Sequence, residues 1–464
     1  MRRHTNASRS IEHPDVLEFI HCKEREGAHA CFNISVGITD EFMRQVREDV
    51  KTPWMCHFGG VKMLPRRITR KANGAFESAT PVEMTAREIM REIATAAHRN
   101  GEPGVLYLDT ANRFNSLPGL GRLRATNPCG EQFLHPGDVC NLGALNLGLF
   151  VTDDRELDEP LLRASTRIAI RALDNVVDMT EVRVDSVHKT ARDNRRLGLG
   201  CMGLADMLVR MRLGYGTARG RIEAAHAMRV INEEADAESR RLCAEKGPFP
   251  NIELSIFAAP EKRRRNAATT TVAPTGTTSN IVDASGGCEP HFALAYTRKS
   301  FGDTVLTYVN ADFERDLRAL ELPEEARILA EVTRSGTLTT VPVEWGVPAW
   351  MREVYAVAGD ISPDDHLLMQ ANLQAHVSNS ISKTINMPST ATIDDVERFY
   401  MRAHELGCKG GTCYVDGSRT LQILETASTT AARTVDACPD CKAPLRRSEG
   451  CVTCDACSYG ACGV

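Results

Sequence analysis

The residues with the clearest chemical potential lie between Asn127 and Cys140. The segment Asn127-Pro-Cys-Gly-Glu131 places an amide, a thiol and a carboxylate at every second position, and another cysteine follows at Cys140. Alternate residues of an extended loop face the same way, so these three side chains can address one substrate. They offer a hydrogen-bonding amide, a sulfur for one-electron or nucleophilic chemistry, and a proton acceptor. A plain turn with a buried cysteine is the alternative, because Asn-Pro and Cys-Gly pairs are common in turns.

A second chemical pattern is the cysteine-rich C-terminus. Zinc-ribbon spacing is present in four residues: Cys438, Cys441, Cys451 and Cys454. Four thiolates at such intervals form a closed tetrahedral site, which is structural rather than catalytic. Cys457 and Cys462 then remain as a terminal pair that can form and break a disulfide. The other division places Cys454 and Cys457 on zinc and leaves Cys451 and Cys462 for redox chemistry, and spacing alone does not decide between them.

Two glycine-containing motifs resemble nucleotide-binding sequences. Ala273-Pro-Thr-Gly-Thr-Thr-Ser279 follows a β-rich run, and backbone N–H groups around such a glycine can hold a phosphate where a helix begins. It lacks the lysine of a P-loop, and a plain turn with a helix cap is the alternative. Gly198-Leu-Gly-Cys-Met-Gly203 fits a dinucleotide pattern but follows a charged segment instead of a hydrophobic strand. It therefore predicts tight helix packing, not a dinucleotide site.

The elements that must position these residues alternate between strand and helix. Strand patterns occur at residues 31–38, 105–109 and 269–274. Helical spacing occurs at residues 82–99, ending near Gly101, and at residues 160–180, 222–245 and 392–406. Thr392, with Asp395 three residues on, is predicted to cap the last of these helices. Such alternation predicts an α/β fold, with residues 1–419 forming one barrel-like domain. The pattern weakens over residues 420–437, which predicts a linker to a separate module at residues 438–464.

The composition of the chain argues against several classes of function and location. The chain has 464 residues, 42% of them hydrophobic, and a formal net charge of -5, which argues against nucleic-acid binding through bulk charge. No apolar run reaches the roughly 18 residues of a membrane helix, and the first residues lack the apolar core of a signal peptide. Sixteen cysteines without such a signal predict reduced thiols, metal ligation or redox catalysis in the cytoplasm.

The ordered motifs together resemble ribonucleotide reductases, specifically the adenosylcobalamin-dependent class II enzymes that act on ribonucleoside diphosphates. The matching segments are His13–Ile20, Phe32–Val36, Gly101–Asp109, Asn127–Glu131, Cys140–Gly143, Asn194–Gly200, Ala273–Thr277, Ser382–Pro388, Gly407–Gly411 and the cysteine-rich tail. Diiron-dependent relatives carry two adjacent tyrosines near the end of the barrel, whereas Tyr414 stands alone here. The resemblance therefore implies adenosylcobalamin as cofactor, with Zn²⁺ in the tail.

The resemblance also implies a fold and a division of roles. It implies a ten-stranded α/β barrel whose finger loop carries Cys129 to the centre, followed by a small zinc ribbon. Cys129 would become a thiyl radical that abstracts the ribose 3′ hydrogen, and Glu131 would accept the 3′-hydroxyl proton. Asn127 would hold the substrate hydroxyls while the 2′-hydroxyl leaves as water.

Further roles come from the same resemblance. Cys140 would be one member of the dithiol that reduces the substrate. Cys457 and Cys462 would relay electrons to it from thioredoxin or glutaredoxin. Backbone amides would bind the phosphates of a ribonucleoside diphosphate or triphosphate at Pro274, Thr275, Gly276, Thr277 and Thr278.

The sequence departs from the family in one large respect. Family members have a substantial N-terminal part before the His-Pro-Asp helix, with the first barrel strands and the other reducing cysteine. We therefore predict a split enzyme, completed by a separate N-terminal chain. The alternatives are a truncated product without turnover, and a non-catalytic zinc-ribbon protein with a regulatory or binding role. Retention of Asn127, Cys129, Glu131 and Cys140 favours the split enzyme.

Overall fold

The secondary structure comes from a computed structural model of the chain. It describes residues 5–25, 28–29, 31–71, 73–299, 305–418, 438, 441, 443, 445–448, 451–454 and 460–462. The predicted linker at residues 420–437 and the predicted redox residue Cys457 lie outside the described residues.

Strands and helices alternate as the sequence patterns predict. The strands are Thr5–Ser10 (β1), Phe32–Ile38 (β2), Cys56–Phe58 (β3), Val61–Met63 (β4), Arg66–Arg70 (β5), Phe76–Pro81 (β6), Gly104–Tyr107 (β7), Ala125–Thr126 (β8), Phe133–Leu134 (β9), Asn141–Asn146 (β10), Leu197–Met202 (β11), Ala295–Lys299 (β12), Val305–Val309 (β13), Thr384–Met387 (β14), Gly410–Val415 (β15), Leu445–Ser448 (β16), Cys451–Cys454 (β17) and Gly460–Cys462 (β18). The helices are Val16–His21 (α1), Asp40–Arg47 (α2), Ala86–Asn100 (α3), Leu108–Arg113 (α4), Glu159–Met179 (α5), Asp185–Asn194 (α6), Leu204–Arg210 (α7), Ala218–Lys246 (α8), Gly276–Ile281 (α9), Ala311–Arg318 (α10), Glu325–Ser335 (α11), Ala349–Val354 (α12), Pro363–Gln374 (α13) and Ile393–Glu405 (α14). Within the described ranges, no helix has the length and apolar character needed to cross a membrane.

The centre of the fold is an array of eight neighbouring strand segments. Five form one sheet in the order β1-β2-β7-β15-β14. Bridges extend it, because Val272 pairs with Ile381 just before β14, and Thr270 pairs with Leu199 of β11, which in turn pairs with β10. Every neighbouring pair is parallel except β7 with β15. The array therefore joins a three-stranded parallel group to a five-stranded parallel group of opposite direction.

The two ends of the array are β1 and β10. Each of them pairs with a single strand neighbour among the described residues. Leu142 on β10 is 46% exposed, whereas Leu197 and Leu199 on the adjacent β11 are buried. Incomplete burial of an apolar strand residue fits a strand at an edge. The α/β fold is thus as predicted, while closure into a ten-stranded barrel remains a prediction.

Helices pack against the array as their sequence signals predict. α3 begins with a capping box at Thr85 and ends at Gly101 in the left-handed conformation (φ 77°). α14 begins with the predicted cap, in which Thr392 and Asp395 exchange hydrogen bonds. Both helices bury their apolar faces in one core with β2 and β7, while α5 and α8 pack in a second core beside β11.

The glycine motif at residues 198–203 belongs to a strand, so the predicted helix packing is wrong. β11 covers most of it, and Gly203 (φ 68°) precedes α7. A Cβ atom on Gly200 would lie 2.1 Å from the Thr271 carbonyl oxygen, and one on Gly198 would lie 2.7 Å from Gln132 Nε2. The glycines permit close strand approach. The interruption of the hydrophobic pattern by these glycines concealed the strand.

We expect Gly200→Ala to lower the free energy of unfolding by about 1–3 kcal/mol, because the backbone oxygen of Thr271 cannot rotate away from the new methyl group. Gly359→Ala is the matched control, since nothing lies within 4 Å of a Cβ atom there. Urea denaturation of both variants measures the difference. Equal midpoints for the two variants would contradict the close strand contact.

Candidate active site

The segment that carries Asn127, Cys129 and Glu131 is a short hairpin, called here the finger (residues 125–134). Its strands are β8 and β9, with Ala125 opposite Leu134 and Thr126 opposite Phe133. The Asn127 backbone N–H donates to the Gln132 carbonyl (3.0 Å), and Gly130 turns the tip with φ 82°. The predicted grouping of the three residues is therefore produced by a tight turn instead of an extended loop.

The finger is fixed by hydrogen bonds from the strand array. The Glu131 carbonyl oxygen accepts from the Thr271 hydroxyl (2.7 Å) and from the Ser380 backbone N–H (3.0 Å). Asn379 accepts from the Phe133 N–H (2.9 Å) and donates to the side chain of Gln132. These partners satisfy backbone groups of the finger that burial removes from water.

Burial sets the protonation of the two reactive side chains at the finger tip. It raises the pKa of the half-buried Cys129 thiol to about 11, and the nearby Glu131 carboxylate adds to the increase. The Glu131 side chain is itself buried, and desolvation raises its pKa, although hydrogen bonding to Asn127 offsets part of this effect. Glu131 Oε2 is buried and has no hydrogen-bond partner among the described residues. The tip therefore combines a protonated thiol with a carboxyl group of increased basicity.

Cys140 lies immediately before β10 and shares the environment of the finger. Leu142, two positions further on, contacts the same glycine, Gly198, as Gln132 of the finger. The carboxylate of Glu131 is near enough to contribute to the raised pKa of Cys140, so Cys140 lies close to the finger. Burial raises the pKa of Cys140, whereas the charge of Arg196 lowers it. Cys140 is thus also held as a thiol.

An ion pair lies beside Cys140. Arg196 Nε donates to Asp138 Oδ2 (2.6 Å), and its terminal nitrogen lies 3.2 Å from His135 Nδ1. All three side chains are buried. Sequence reasoning did not identify this cluster, because its members are scattered along the chain.

The predicted phosphate loop also connects to the finger. Thr275 adopts the left-handed conformation (φ 52°) and precedes α9, whose first residues Gly276, Thr277 and Thr278 are exposed. First-turn amides of a helix have no intrahelical acceptor. Thr271, which binds the Glu131 carbonyl, is three residues before Pro274, about 10 Å of extended chain. The loop and the finger are therefore close to each other in space.

The tail contains a three-stranded antiparallel sheet in the order β16-β17-β18. Three predicted zinc ligands come together, since the Sγ atoms of Cys438, Cys441 and Cys454 lie within 4.8 Å of one another. Cys451 and Cys462 occupy opposite positions on β17 and β18. A tetrahedral zinc–thiolate site places sulfurs about 3.8 Å apart, so the three-thiol cluster fits Zn²⁺.

Residues that fix the finger were absent from the sequence-based site. Thr271 and Asn379 lie in polar segments of the array, Thr269-Thr-Thr271 and Ser378-Asn-Ser380. The sequence signal for such anchoring residues is a polar side chain within an otherwise buried strand segment, because buried polar groups need hydrogen-bond partners. The identity of those partners depends on tertiary contacts that spacing does not reveal.

Comparison with known proteins gives the family of the chain. The family model of the ribonucleotide reductase barrel domain matches residues 7–262 and 258–414. The chain belongs to the ribonucleotide reductase family. The finger, Cys140 and the phosphate loop all lie inside the matched residues of this reductase chain.

Individual relatives agree with the family assignment. The reductase chain is 39% identical over 419 residues to a vitamin B12-dependent ribonucleoside-diphosphate reductase of Mycobacterium tuberculosis, covering 90% of this chain and 57% of the relative. It is 37% identical over 421 residues to the protein of the same name from Thermoplasma acidophilum, covering 90% and 52%. The chain thus spans little more than half the length of these curated relatives.

A solved structure supports the fold. The α subunit of the class Id ribonucleotide reductase of Actinobacillus ureae matches with a TM-score of 0.69 at 17% identity, covering 89% of this chain and 70% of that one. At this identity the likeness concerns the fold alone.

We expect Asn379→Ala to loosen the finger, because the Phe133 N–H would lose its acceptor in a buried setting. The unpaired group costs about 1–3 kcal/mol. Hydrogen exchange of a peptide covering residues 127–134 should accelerate. The control is Gln45→Ala, which removes an exposed hydrogen bond to Glu41 on α2. Unchanged exchange in the Asn379 variant would contradict the anchoring role.

Proposed function

We propose that the chain carries the radical site of a ribonucleotide reductase, which converts ribonucleotides into 2′-deoxyribonucleotides for DNA synthesis. The observation that supports this most directly is the finger, which holds Cys129 beside the buried carboxyl group of Glu131. Membership of the ribonucleotide reductase family supplies the reaction class.

Cys129 acts as the hydrogen-atom carrier. Because its pKa is about 11, the residue retains its S–H bond at neutral pH, whereas nucleophilic or metal-binding cysteines act as thiolates. A retained S–H bond suits one-electron chemistry. The names of the relatives indicate a vitamin B12 cofactor, and adenosylcobalamin, when bound, would supply the radical chemistry that takes the hydrogen from Cys129. The Cys129 thiyl then removes the 3′ hydrogen of the ribose.

Asn127 binds the hydroxyl groups of the substrate, and Glu131 deprotonates one of them. Glu131 takes the 3′-hydroxyl proton as general base, and its raised pKa brings its basicity closer to what neutral pH requires. Its free buried Oε2 atom is available to a substrate hydroxyl. Asn127 orients the hydroxyls and hydrogen-bonds Glu131, which limits the upward shift of the pKa.

Cys140 supplies reducing equivalents. Loss of the 2′-hydroxyl as water needs two electrons and protons, which come from Cys140 and a second thiol as they form a disulfide. Thioredoxin or glutaredoxin restores that dithiol through the cysteine-rich tail. The backbone N–H groups of residues 275–278, which follow Pro274, bind the phosphates of a ribonucleoside diphosphate or triphosphate, next to the strand segment that contacts Glu131.

We further propose that the part of the relatives that this chain does not span completes the site. The reductase chain covers 57% of one curated relative, and its strand array ends at β1 and β10 with a single strand neighbour each in the described part. Two further strands between these ends, parallel to β1 and added beside it, would equalise the three-stranded and five-stranded groups. The same part would bring the thiol that pairs with Cys140.

The pH dependence of the complemented enzyme tests the role of Glu131. Because burial raises its pKa above the ordinary 4.5, activity should be lost as pH falls through a value higher than 4.5. Cys129, with a pKa of about 11, should give no basic limb near neutrality. We expect Glu131→Gln to lower kcat by about 10²- to 10⁴-fold and to remove the acidic limb. Retention of that limb in the variant would contradict the assignment.

Reconstitution tests the complete site. We expect the chain alone to show no sustained formation of deoxynucleotides, and activity to appear when adenosylcobalamin and a polypeptide matching the N-terminal part of the relatives are added. Cys129→Ala should abolish the reconstituted activity, whereas Cys243→Ala, which removes a half-buried thiol on α8, should retain it. Full turnover by the isolated chain would exclude the split arrangement.

A further inference from the structure

We propose that Lys409 is a positioning residue of the finger. Its side-chain nitrogen binds the carbonyl groups of Ser378 and Asn379, which belong to the backbone that holds the finger, called here the anchor segment (residues 378–380). Lys409 thereby limits the movement of the anchor segment and of the reactive side chains that depend on it. The consequence for catalysis rests on the proposed reductase function, whereas the positioning itself rests on hydrogen bonds and burial.

The anchor segment joins the finger through three hydrogen bonds. The Ser380 N–H donates to the Glu131 carbonyl (3.0 Å), and Asn379 Oδ1 accepts from the Phe133 N–H (2.9 Å). The Asn379 side chain also donates to the side chain of Gln132. Three successive residues of the finger therefore have a partner in the anchor segment, so a displacement of the segment displaces the residue that carries the reactive carboxyl group.

The carbonyl oxygens of the anchor segment are bound by Lys409. Its nitrogen donates to the Asn379 carbonyl and, at 3.3 Å, to the Ser378 carbonyl. Gln374 of α13 adds a second donor to the Asn379 carbonyl (3.2 Å). Lys409 binds two carbonyls and Gln374 binds one, and a charged donor forms the stronger hydrogen bond. Lys409 is therefore the principal partner of these carbonyl groups.

Lys409 is buried without a carboxylate partner. It is 4% exposed, and it forms no ion pair within the described part of the chain. The ring centroid of Phe114 lies 4.9 Å from its nitrogen. The equally buried Lys383, by contrast, pairs with Glu289. An uncompensated buried cation costs free energy, so an apolar residue would fill this space at lower cost if filling space were its only role.

Among the described residues, no neighbouring charge stabilises the ammonium form of Lys409. Burial alone lowers its pKa from 10.5 to about 7. Both the ammonium and the amine are thus populated near neutrality, and both can donate to the carbonyl groups. The titratable groups on the surrounding elements that are closest in sequence to these contacts are Tyr107 on β7, Arg113 on α4, Glu131 on the finger, His376 after α13, Glu405 on α14, Cys408 after α14 and Cys413 on β15.

The lowered pKa links opening of the anchor segment to pH. Opening exposes Lys409 to water and returns its pKa from about 7 toward 10.5, so opening takes up a proton between these two pH values. The closed state is therefore favoured increasingly as pH rises above about 7, and the protonated lysine opposes it below that value.

Hydrogen exchange of the wild-type chain measures this linkage. After correction for the intrinsic exchange rate, protection of peptides covering residues 127–134 and 378–382 should rise about tenfold between pH 6 and pH 8. A peptide from α11, which packs in a different core, is the internal reference and should not share the rise. Protection that stays constant in both anchor peptides would overturn the proposal.

Lys409→Met, compared with the wild type at pH 8, isolates the hydrogen bonds. With a pKa of about 7, the native lysine is mostly neutral there, so the substitution removes donors without removing a buried charge. Exchange of the peptide covering residues 127–134 should accelerate about five- to thirtyfold, and the rise with pH should disappear. Unchanged exchange in this variant, or a rise with pH that persists, would overturn the proposal. The wild-type pH profile decides the question by itself if the variant does not fold.

Gln370→Met is the matched control. Gln370 lies one helical turn before Gln374 on α13 and is buried, and it donates to the Gly410 carbonyl (3.0 Å) instead of to the anchor segment. The control therefore loses a buried bond of the same kind beside Lys409. Exchange of residues 127–134 should remain as in the wild type. Equal acceleration in the two variants would show a general loss of stability and would overturn the positioning role.

The reconstituted enzyme tests the consequence for catalysis. We expect Lys409→Met to lower kcat by about ten- to a hundredfold, because a small misplacement of reacting groups slows the chemical step. KM should change less than about threefold, since the proposed phosphate site lies outside the anchor segment. An active variant with the kcat of the wild type would overturn the proposal. Hydrogen exchange needs no turnover, so an inactive wild type would count against the proposed reductase function and leave the test of positioning intact.

Discussion

The carbonyl oxygen of Glu131 is the point on which the candidate site depends. It accepts hydrogen bonds from the Thr271 hydroxyl and the Ser380 N–H, which belong to two neighbouring segments of the strand array. This double anchor fixes the finger against the array at the residue that carries the reactive carboxyl group. Asn379 holds the following strand of the finger in the same way. A hairpin with two residues in each strand would have little stability by itself, so its geometry comes from the array.

This anchoring also determines chemistry. Because the finger is held within the fold, Cys129 and Glu131 are partly removed from water, and both pKa values rise. The same physical cause has two useful results. The thiol keeps its hydrogen, which the proposed radical chemistry requires, and the carboxyl group becomes a stronger base. A surface loop with the same sequence would give an ordinary thiol and an ordinary carboxylate.

The sequence predicted much of this arrangement where the signals are local. The capping pair Thr392 and Asp395, the helix end at Gly101 and the grouping of Asn127 with Cys129 and Glu131 all depend on residues close in sequence. The strand at residues 197–202 was missed because glycine interrupts its hydrophobic pattern. The partners of the finger could not be predicted, since Thr271 and Asn379 are joined to it by contacts over more than a hundred residues.

The two ends of the strand array have a consequence for the physical behaviour of the chain. A strand with an unpaired edge offers a row of N–H and C=O groups to any other extended segment, including a second copy of the same chain. β10, with its exposed Leu142, carries apolar surface beside such an edge. Pairing of these edges with further strands would therefore protect the chain from self-association, in addition to completing its chemistry.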